Sequence, residues 1–170
     1  MTDSPNLKDS VSIQPIGRSD RSDIQKLLIR EWGSVQLVTR GKIHLADELS
    51  GFIARIREEL AGFLTYRIEG SKCEIVSLNS FVENVGVGSE LLEVVRVTAK
   101  RNNCVRIWLI TTNDNTPALR FYQKRGYRIS AVYPNAIANS RKMKPEIPIH
   151  GLDSILIRDE IELEMILTDK

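Results

Sequence analysis

Gly86-Val87-Gly88, and further on Asn115-Thr116-Pro117 followed by Phe121-Tyr122, are the stretches of this chain best equipped for chemistry. Glycines without a Cβ let the backbone turn tightly and bring N–H groups close to a ligand. A helix starting near Gly88 adds unpaired N–H donors and the positive end of its dipole, which suit a pyrophosphate. Tyr122 is a phenol that can give a proton to a leaving group. Asn115 carries an amide suited either to a ligand's amide groups or to capping the helix after it. Phe121 and Tyr122 are neighbours, so on a helix they point about 100° apart, one toward a core and one toward a cleft. Each feature also has an ordinary role: a plain strand-to-helix turn, a cap, a core aromatic. In this order and at this separation, the pair can cradle a pyrophosphate and deliver an acid to a leaving group. Two other glycine loops are excluded. A dinucleotide fingerprint would put its third glycine at Leu91, and no Gly-Lys-Ser/Thr follows for a Walker loop.

The elements that must hold these residues follow from hydrophobic periodicity. Residues 11–16 alternate as a strand, with Pro15 marking an edge or an end. Ser19 or Asp20 caps a helix whose apolar stripe is Ile24, Leu27, Leu28 and Trp32, and Gly33 stops it. Residues 34–50 read as strand or loop around an Arg40-Gly41-Lys42 turn. Residues 52–56, 61–68 and 74–78 form strands joined by short turns, hence an antiparallel meander. A helix carrying Leu91, Leu92, Val95 and Ala99 ends near Asn102-Asn103, and residues 105–112 are a β-prone central strand. Thr116 with Pro117 behind it predicts an N-cap, and Gly126 suits a left-handed helix end. Residues 128–133 read as a strand and 136–148 as a basic connection punctuated by proline. The last strand alternates Ile161, Leu163, Met165 and Leu167 with Glu160, Glu162 and Glu164, which predicts one wet face. It also offers an edge to a second copy in a homodimer. The order β-α-(β-β-β)-α-β-α-β-β predicts an α/β (α+β) fold with a mixed sheet and helices on its faces. It forms a single domain over residues 11–170, behind a flexible tail of residues 1–10.

Bulk properties narrow the classes. A chain of 170 residues suffices for one core, burying roughly 70% of its unfolded surface. With 24 basic and 22 acidic residues, the net charge of +2 is too balanced to argue for nucleic acid. Cys73 and Cys104 form no C-x-x-C pair, so they predict two buried thiols in a reducing compartment and no metal site. No apolar run approaches the ~20 residues of a membrane span, and Met1-Thr2-Asp3-Ser4 lacks a signal peptide's basic start. The expected location is cytoplasmic, without a membrane partner.

Taken together, these residues resemble the GNAT superfamily of acyl-CoA N-acyltransferases, as a small single-domain member of prokaryotic type. The superfamily's phosphate-binding signature, R/Q-x-x-G-x-G/A, falls on Glu83-Asn84-Val85-Gly86-Val87-Gly88. Its later signature, N-x-x-A-x-x-F-Y-x-x-x-G-F/Y, falls on Asn115, Ala118, Phe121, Tyr122, Gly126 and Tyr127. The element order agrees from about Val11 to Leu167. One departure stands out: Glu83 puts a carboxylate where the family has Arg or Gln, near the expected pyrophosphate.

The resemblance implies a mostly antiparallel sheet with a splayed V between two central parallel strands. It also implies acetyl-CoA as cosubstrate, no metal, and an amine acceptor that is a small molecule or a protein amine. Leu78 and Ser80 would offer free backbone groups to the pantetheine arm and thioester. Val85, Gly86, Val87, Gly88 and Ser89 would hold the pyrophosphate, with Asn115 and Tyr122 completing the cofactor site. A primary amine would attack the thioester directly in a ternary complex, and Tyr122 would be the general acid to the thiolate. An unperturbed phenol is a poor donor there, because transfer to a thiol of pKa ~8.5 is uphill by roughly 2 kcal/mol. Tyr122 must be tuned or act by hydrogen bonding. The amine, with pKa ~10.4, must first lose a proton. His44 and His150 fall in segments without a clear element, and Glu74, beside water as the other base, reads as a solvated strand residue. Arg120, Lys124, Arg125 and Arg128 suit the phosphates or an ordinary wet helix face, and Arg141, Lys142 and Lys144 the acceptor side. The region from Trp32 to Ser50 would set acceptor specificity. Glu83 also sustains an alternative, a catalytically weak or silent acyl-CoA-binding module.

Overall fold

The computed structural model describes residues 11–167, so the tail expected over residues 1–10 lies outside the described residues. One sheet of seven strands organises the chain. In chain order the elements are β1 (Val11–Pro15), α1 (Arg21–Trp32), β2 (Gln36–Thr39), β3 (Lys42–Leu45), β4 (Ser50–Ile56), β5 (Glu59–Glu69) and β6 (Lys72–Ser80). There follow α2 (Val87–Arg101), β7 (Arg106–Thr112), α3 (Thr116–Gln123), β8 (Arg128–Tyr133), α4 (Ala136–Met143) and β9 (Glu160–Ile166). The sheet order is β1-β4-β5-β6-β7-β9-β8, and β2–β3 is a separate hairpin. Within the sheet, β6 and β7 are the parallel pair.

Alternation along the strands feeds two cores. Cys73, Ile75, Ile107, Leu109 and Leu163 point to one face, where they meet Leu91, Leu92, Val95 and Ala99 of α2 and Tyr122 of α3. Ile53, Phe63 and Val76 point to the other, against Ile24 and Leu28 of α1 and Leu37 of the hairpin. The sheet is therefore sandwiched: α2 and α3 lie on one side, α1 and the hairpin on the other.

The V comes from a mismatch in the pairing of β6. It matches β7 on four rungs, Lys72–Arg106 to Ile75–Leu109, and pairs no further. On its other edge the register with β5 runs Ile75–Tyr66, then Ser77–Thr65, which leaves Val76 without a counterpart. Such a bulge bends its strand and increases the twist. It sits where β6 and β7 part, and it swings residues 76–80 away from β7.

Three expectations need correcting here. β9 lies between β7 and β8, so both its edges are used and it offers none to a second copy. Residues 136–143 are helical, not a connection. Trp32 does not join the apolar stripe of α1: it is exposed, and its indole Nε1 donates to Asn79 Oδ1 at 3.0 Å.

Candidate functional site

On the α2–α3 side, a cleft of about 1500 Å³ runs from Leu78 and Ser80 past Gly86–Ser89 to Asn115 and Tyr122. Gly86 enters α2 in the left-handed conformation, φ +83°, without a side-chain cap. The bond from Glu90 N to Gly86 O opens the helix, leaving the first-turn N–H groups of Val87, Gly88 and Ser89 for an occupant of the cleft. Gly88 is needed for a different reason. A Cβ there would lie 2.9 Å from Phe121 Cζ, so its absence lets α3 close against α2. Val85, expected at the cleft, does not line it: its side chain is buried in the core.

Asn115, not Thr116, is the N-cap of α3: its Oδ1 accepts from Ala118 N at 3.2 Å. Thr116 and Pro117 occupy the first helical turn. The cap fixes the helix carrying Tyr122, which is 7% exposed and meets Phe121 and Tyr127 edge-on at ring distances of 5.1 and 5.5 Å. Among the described residues no buried side-chain N or O lacks a partner, and none bonds the Tyr122 hydroxyl, so that hydroxyl stands on the accessible wall of the cleft. Burial, reinforced by Tyr127, drives its pKa far above the ordinary phenol value, against a smaller opposing pull from Arg125. The phenol is neutral at pH 7 and available as a donor.

Glu83 lines the same cleft, and so do Arg120, Lys124 and Arg125. Arg125 lies over the Phe121 ring at 3.6 Å and donates from Nε to Ser89 Oγ at 2.9 Å, tying α3 to the first turn of α2. Arg128 is elsewhere, paired with Glu164 on β9.

The opposite face departs most from the sequence reading. Glu160, Glu162 and Glu164 do not face water, for they are 1%, 9% and 9% exposed. Arg106 reaches from β7 to both Glu162 and Glu164, and Glu162 also accepts from Tyr133 Oη at 2.8 Å. Burial alone would raise both carboxyls, but these bonds outweigh it and hold them below the usual range. Glu160 behaves in reverse. Burial prevails over the Arg40 N–H, the Arg40 charge and the Ser140 hydroxyl, and pushes its pKa up. The Arg40 guanidinium lies 3.2 Å from the centre of the Tyr133 ring, which latches the hairpin tip to this face.

Glu74 is buried too, at 3% exposed, and is not the solvated strand residue that the sequence suggests. It accepts from Arg67 Nε at 2.8 Å and from Thr39 Oγ1 at 2.9 Å. A cavity of about 440 Å³ opens beside it, bounded by Arg67, Lys72 and Trp108. His44 belongs to β3 and is 4% exposed. Sequence reasoning missed this cluster, and the one available signal was the threonine and histidine flanking the Arg40-Gly41 turn. Two cations expected on the acceptor side serve the scaffold instead. Lys144 donates to the Trp32 and Gln36 carbonyls, and Arg141 to those of Ile147, Pro148 and Ile157. Cys73 and Cys104 are buried free thiols, and burial pushes Cys73 up to about 12. No helix among the described residues is long and apolar enough to cross a membrane.

The profile of the acetyltransferase (GNAT) family matches residues 18–127. The uncharacterized protein YdhI of Bacillus subtilis (strain 168) is 50% identical over 134 residues, 78% of this chain and 83% of that protein. Among solved structures, an IAA acetyltransferase from Bacillus cereus ATCC 14579 superposes with a TM-score of 0.72 at 22% identity, covering 93% of this chain and all of that one. A GNAT family acetyltransferase from Elizabethkingia anophelis with acetyl-CoA bound gives a TM-score of 0.67 at 24% identity, covering 94% and 99%. The chain belongs to the acetyltransferase (GNAT) family. The seven-stranded, mostly antiparallel sheet with its splayed parallel pair is the fold expected of that family.

Proposed function

We propose that the protein transfers an acetyl group from acetyl-CoA to a primary amine by direct attack in a ternary complex. The observation that carries this reading is one continuous cleft that joins the uncapped start of α2, the parting of β6 from β7, and the Tyr122 hydroxyl. The residues fit the cosubstrate. A pyrophosphate placed at the first turn of α2 would take the N–H groups of Val87, Gly88 and Ser89. Beyond Ile75, β6 has no strand on its β7 side, which supports a role for backbone groups at Leu78 and Ser80 in binding the pantetheine amides and the thioester oxygen. Asn115 contributes by fixing α3. Arg120, Lys124 and Arg125 supply the positive charge that Glu83 does not.

The raised pKa of Tyr122 favours hydrogen bonding over full proton transfer as its role. A phenol above its ordinary value is a still weaker acid toward a thiolate, so full proton transfer ahead of C–S cleavage is disfavoured. Tyr122 acts as a hydrogen-bond donor to sulfur as charge develops there, and the proton follows the breaking bond. The sheet face opposite α2, under the hairpin, α1 and α4, receives the amine.

Calorimetric titration with acetyl-CoA, followed by thiol release across a panel of primary amines, tests the reading. Binding with amine-dependent release supports it. Binding without release for any acceptor favours the silent acyl-CoA-binding module, and absence of binding defeats both.

A further inference from the structure

An ammonium acceptor must lose a proton before its nitrogen can attack, and the hydrogen bonds around His44 identify a group placed to take it. Thr39 has a single hydroxyl proton, and it goes to Glu74 Oε1 at 2.9 Å, because a carboxylate only accepts. Thr39 Oγ1 also lies 2.8 Å from His44 Nε2, so in that contact the ring must donate. The proton of the neutral imidazole therefore sits on Nε2, and Nδ1 holds the free lone pair. No described residue bonds Nδ1, and no buried side-chain nitrogen lacks a partner, so Nδ1 lies on the accessible part of the ring.

The position is also right. Glu74 pairs with Trp108 on the rung before the last one that β6 and β7 share. Leu37, directly across the hairpin from His44, is in one apolar cluster with Val76, the bulged residue at which β6 turns away. His44 thus lies beside Glu74, one rung short of where β6 and β7 part, on the face opposite α2. The charged groups acting on it are Glu74 of β6, Arg67 of β5 and Lys42 of its own strand. Burial is the largest influence and holds the imidazole below its ordinary value; Glu74 pulls it up, while Arg67 and Lys42 add to the lowering.

Resting on the transferase reading above, we infer that His44 is the general base of the reaction, with Nδ1 taking the proton of the acceptor ammonium. Thr39 and Glu74 are positioning residues that fix the tautomer. The freed nitrogen pair forms the C–N bond as the thioester π pair moves to oxygen. Collapse of the tetrahedral intermediate breaks C–S, and sulfur leaves with the bonding pair. Sulfur takes the nitrogen's second proton, relayed by Tyr122, and the imidazolium returns the first to water.

The test is the pH profile of kcat/KM for an amine that the unaltered protein acetylates. The unaltered protein should show an acid limb with its inflection below the ordinary histidine value of ~6.5. His44→Gln should lose about 10²- to 10⁴-fold at pH 7, bind acetyl-CoA unchanged, and show a rate that simply climbs with ionisation of the free amine. Thr39→Val should lose part of this, and Thr39→Ser should restore it. An effect of His44→Gln below about threefold, or an unchanged inflection, overturns the assignment and leaves the transferase reading standing. Should the variants fail to fold, nitrogen-15 spectra of the unaltered protein decide: an Nε2–H ring at pH 7 supports the inference, and an Nδ1–H or doubly protonated ring overturns it. If the unaltered protein releases thiol with no amine, the transferase reading fails and the inference falls with it.

Discussion

The two faces of the sheet are built by different means. The α2–α3 face offers mostly backbone: an uncapped helix start, a left-handed glycine, a cap that sets one helix, and one phenol at the cleft wall. The hairpin face offers charge, with Glu74, Glu160, Glu162 and Glu164 all buried under cations and hydroxyls drawn from distant segments. A cosubstrate of fixed chemistry can be met by fixed backbone donors. An acceptor that loses protons needs groups whose charge and hydrogen bonds are tuned. Substitutions on the two faces should therefore fail differently, with lost turnover or affinity on the first and altered stability and pH response on the second.

After His44→Gln, the largest effect should follow Tyr122→Phe, with kcat reduced by about one to three orders of magnitude, the lower end of the span for acid–base groups and below, and calorimetric acetyl-CoA affinity nearly unchanged. Equal turnover would remove the hydroxyl from the chemistry. Next comes Arg106→Leu, which strips Glu162 and Glu164 of their shared cation while leaving Tyr133 to one and Arg128 to the other. Urea unfolding should show a loss of about 3 kcal/mol, the low end for a broken buried pair. Both carboxyls are depressed in the folded state, so their stabilisation is present above the unfolded carboxylate value of ~4.3 and lost as pH falls through the lower folded values. The gap between variant and parent should accordingly shrink below pH ~4.

Gly88→Val should cost about 1–3 kcal/mol by overpacking against Phe121, and should lower acetyl-CoA affinity as α3 is pushed off α2. Paired unfolding and titration measurements separate the two losses. Glu160→Gln should do the opposite of Arg106→Leu. Because Glu160 is raised, its contribution favours the fold below ~4.3 and turns unfavourable as pH rises through the folded value. The variant should match or exceed the parent by up to about 1 kcal/mol at pH 7, an advantage that disappears in acid. A destabilised variant at neutral pH would mean that the Arg40 contacts outweigh burial. The smallest effect belongs to Glu83→Gln, expected to tighten acetyl-CoA binding by a few fold, most clearly at low salt where exposed charges are least screened.

The same division explains what the sequence could disclose. The α2–α3 face is local: residues 86–89 make a turn and residues 115–122 a capped helix, so spacing alone exposes them. Even there the assignments shifted, since Asn115 took the cap from Thr116 and Gly88 proved to serve Phe121. The hairpin face is assembled from partners such as Thr39 with Glu74 and Arg40 with Glu160, which no periodicity links. Alternating glutamates in β9 look like a wet face until Arg106 and Arg128 arrive from neighbouring strands. The β2–β3 hairpin stayed ambiguous because Ile43 and Leu45 point outward, at 47% and 40% exposed, which blurs its pattern. Helix α4 depends on tertiary ties, with Lys144 bonding two carbonyls and Ser140 facing Glu160. The bulge at Val76, which opens the V, has no mark in the residue types at all.

The central claim is that the acetyl group passes directly from sulfur to an amine held on the hairpin face. Single-turnover reaction with acetyl-CoA labelled in its acetyl group, quenched at intervals in the presence and absence of an accepted amine, addresses it most directly. The account predicts that label moves from thioester to amine nitrogen in step with thiol release, that none accumulates on the protein, and that thiol release without amine is negligible. Label on a protein side chain, or thiol release that leaves the amine unlabelled, would contradict it.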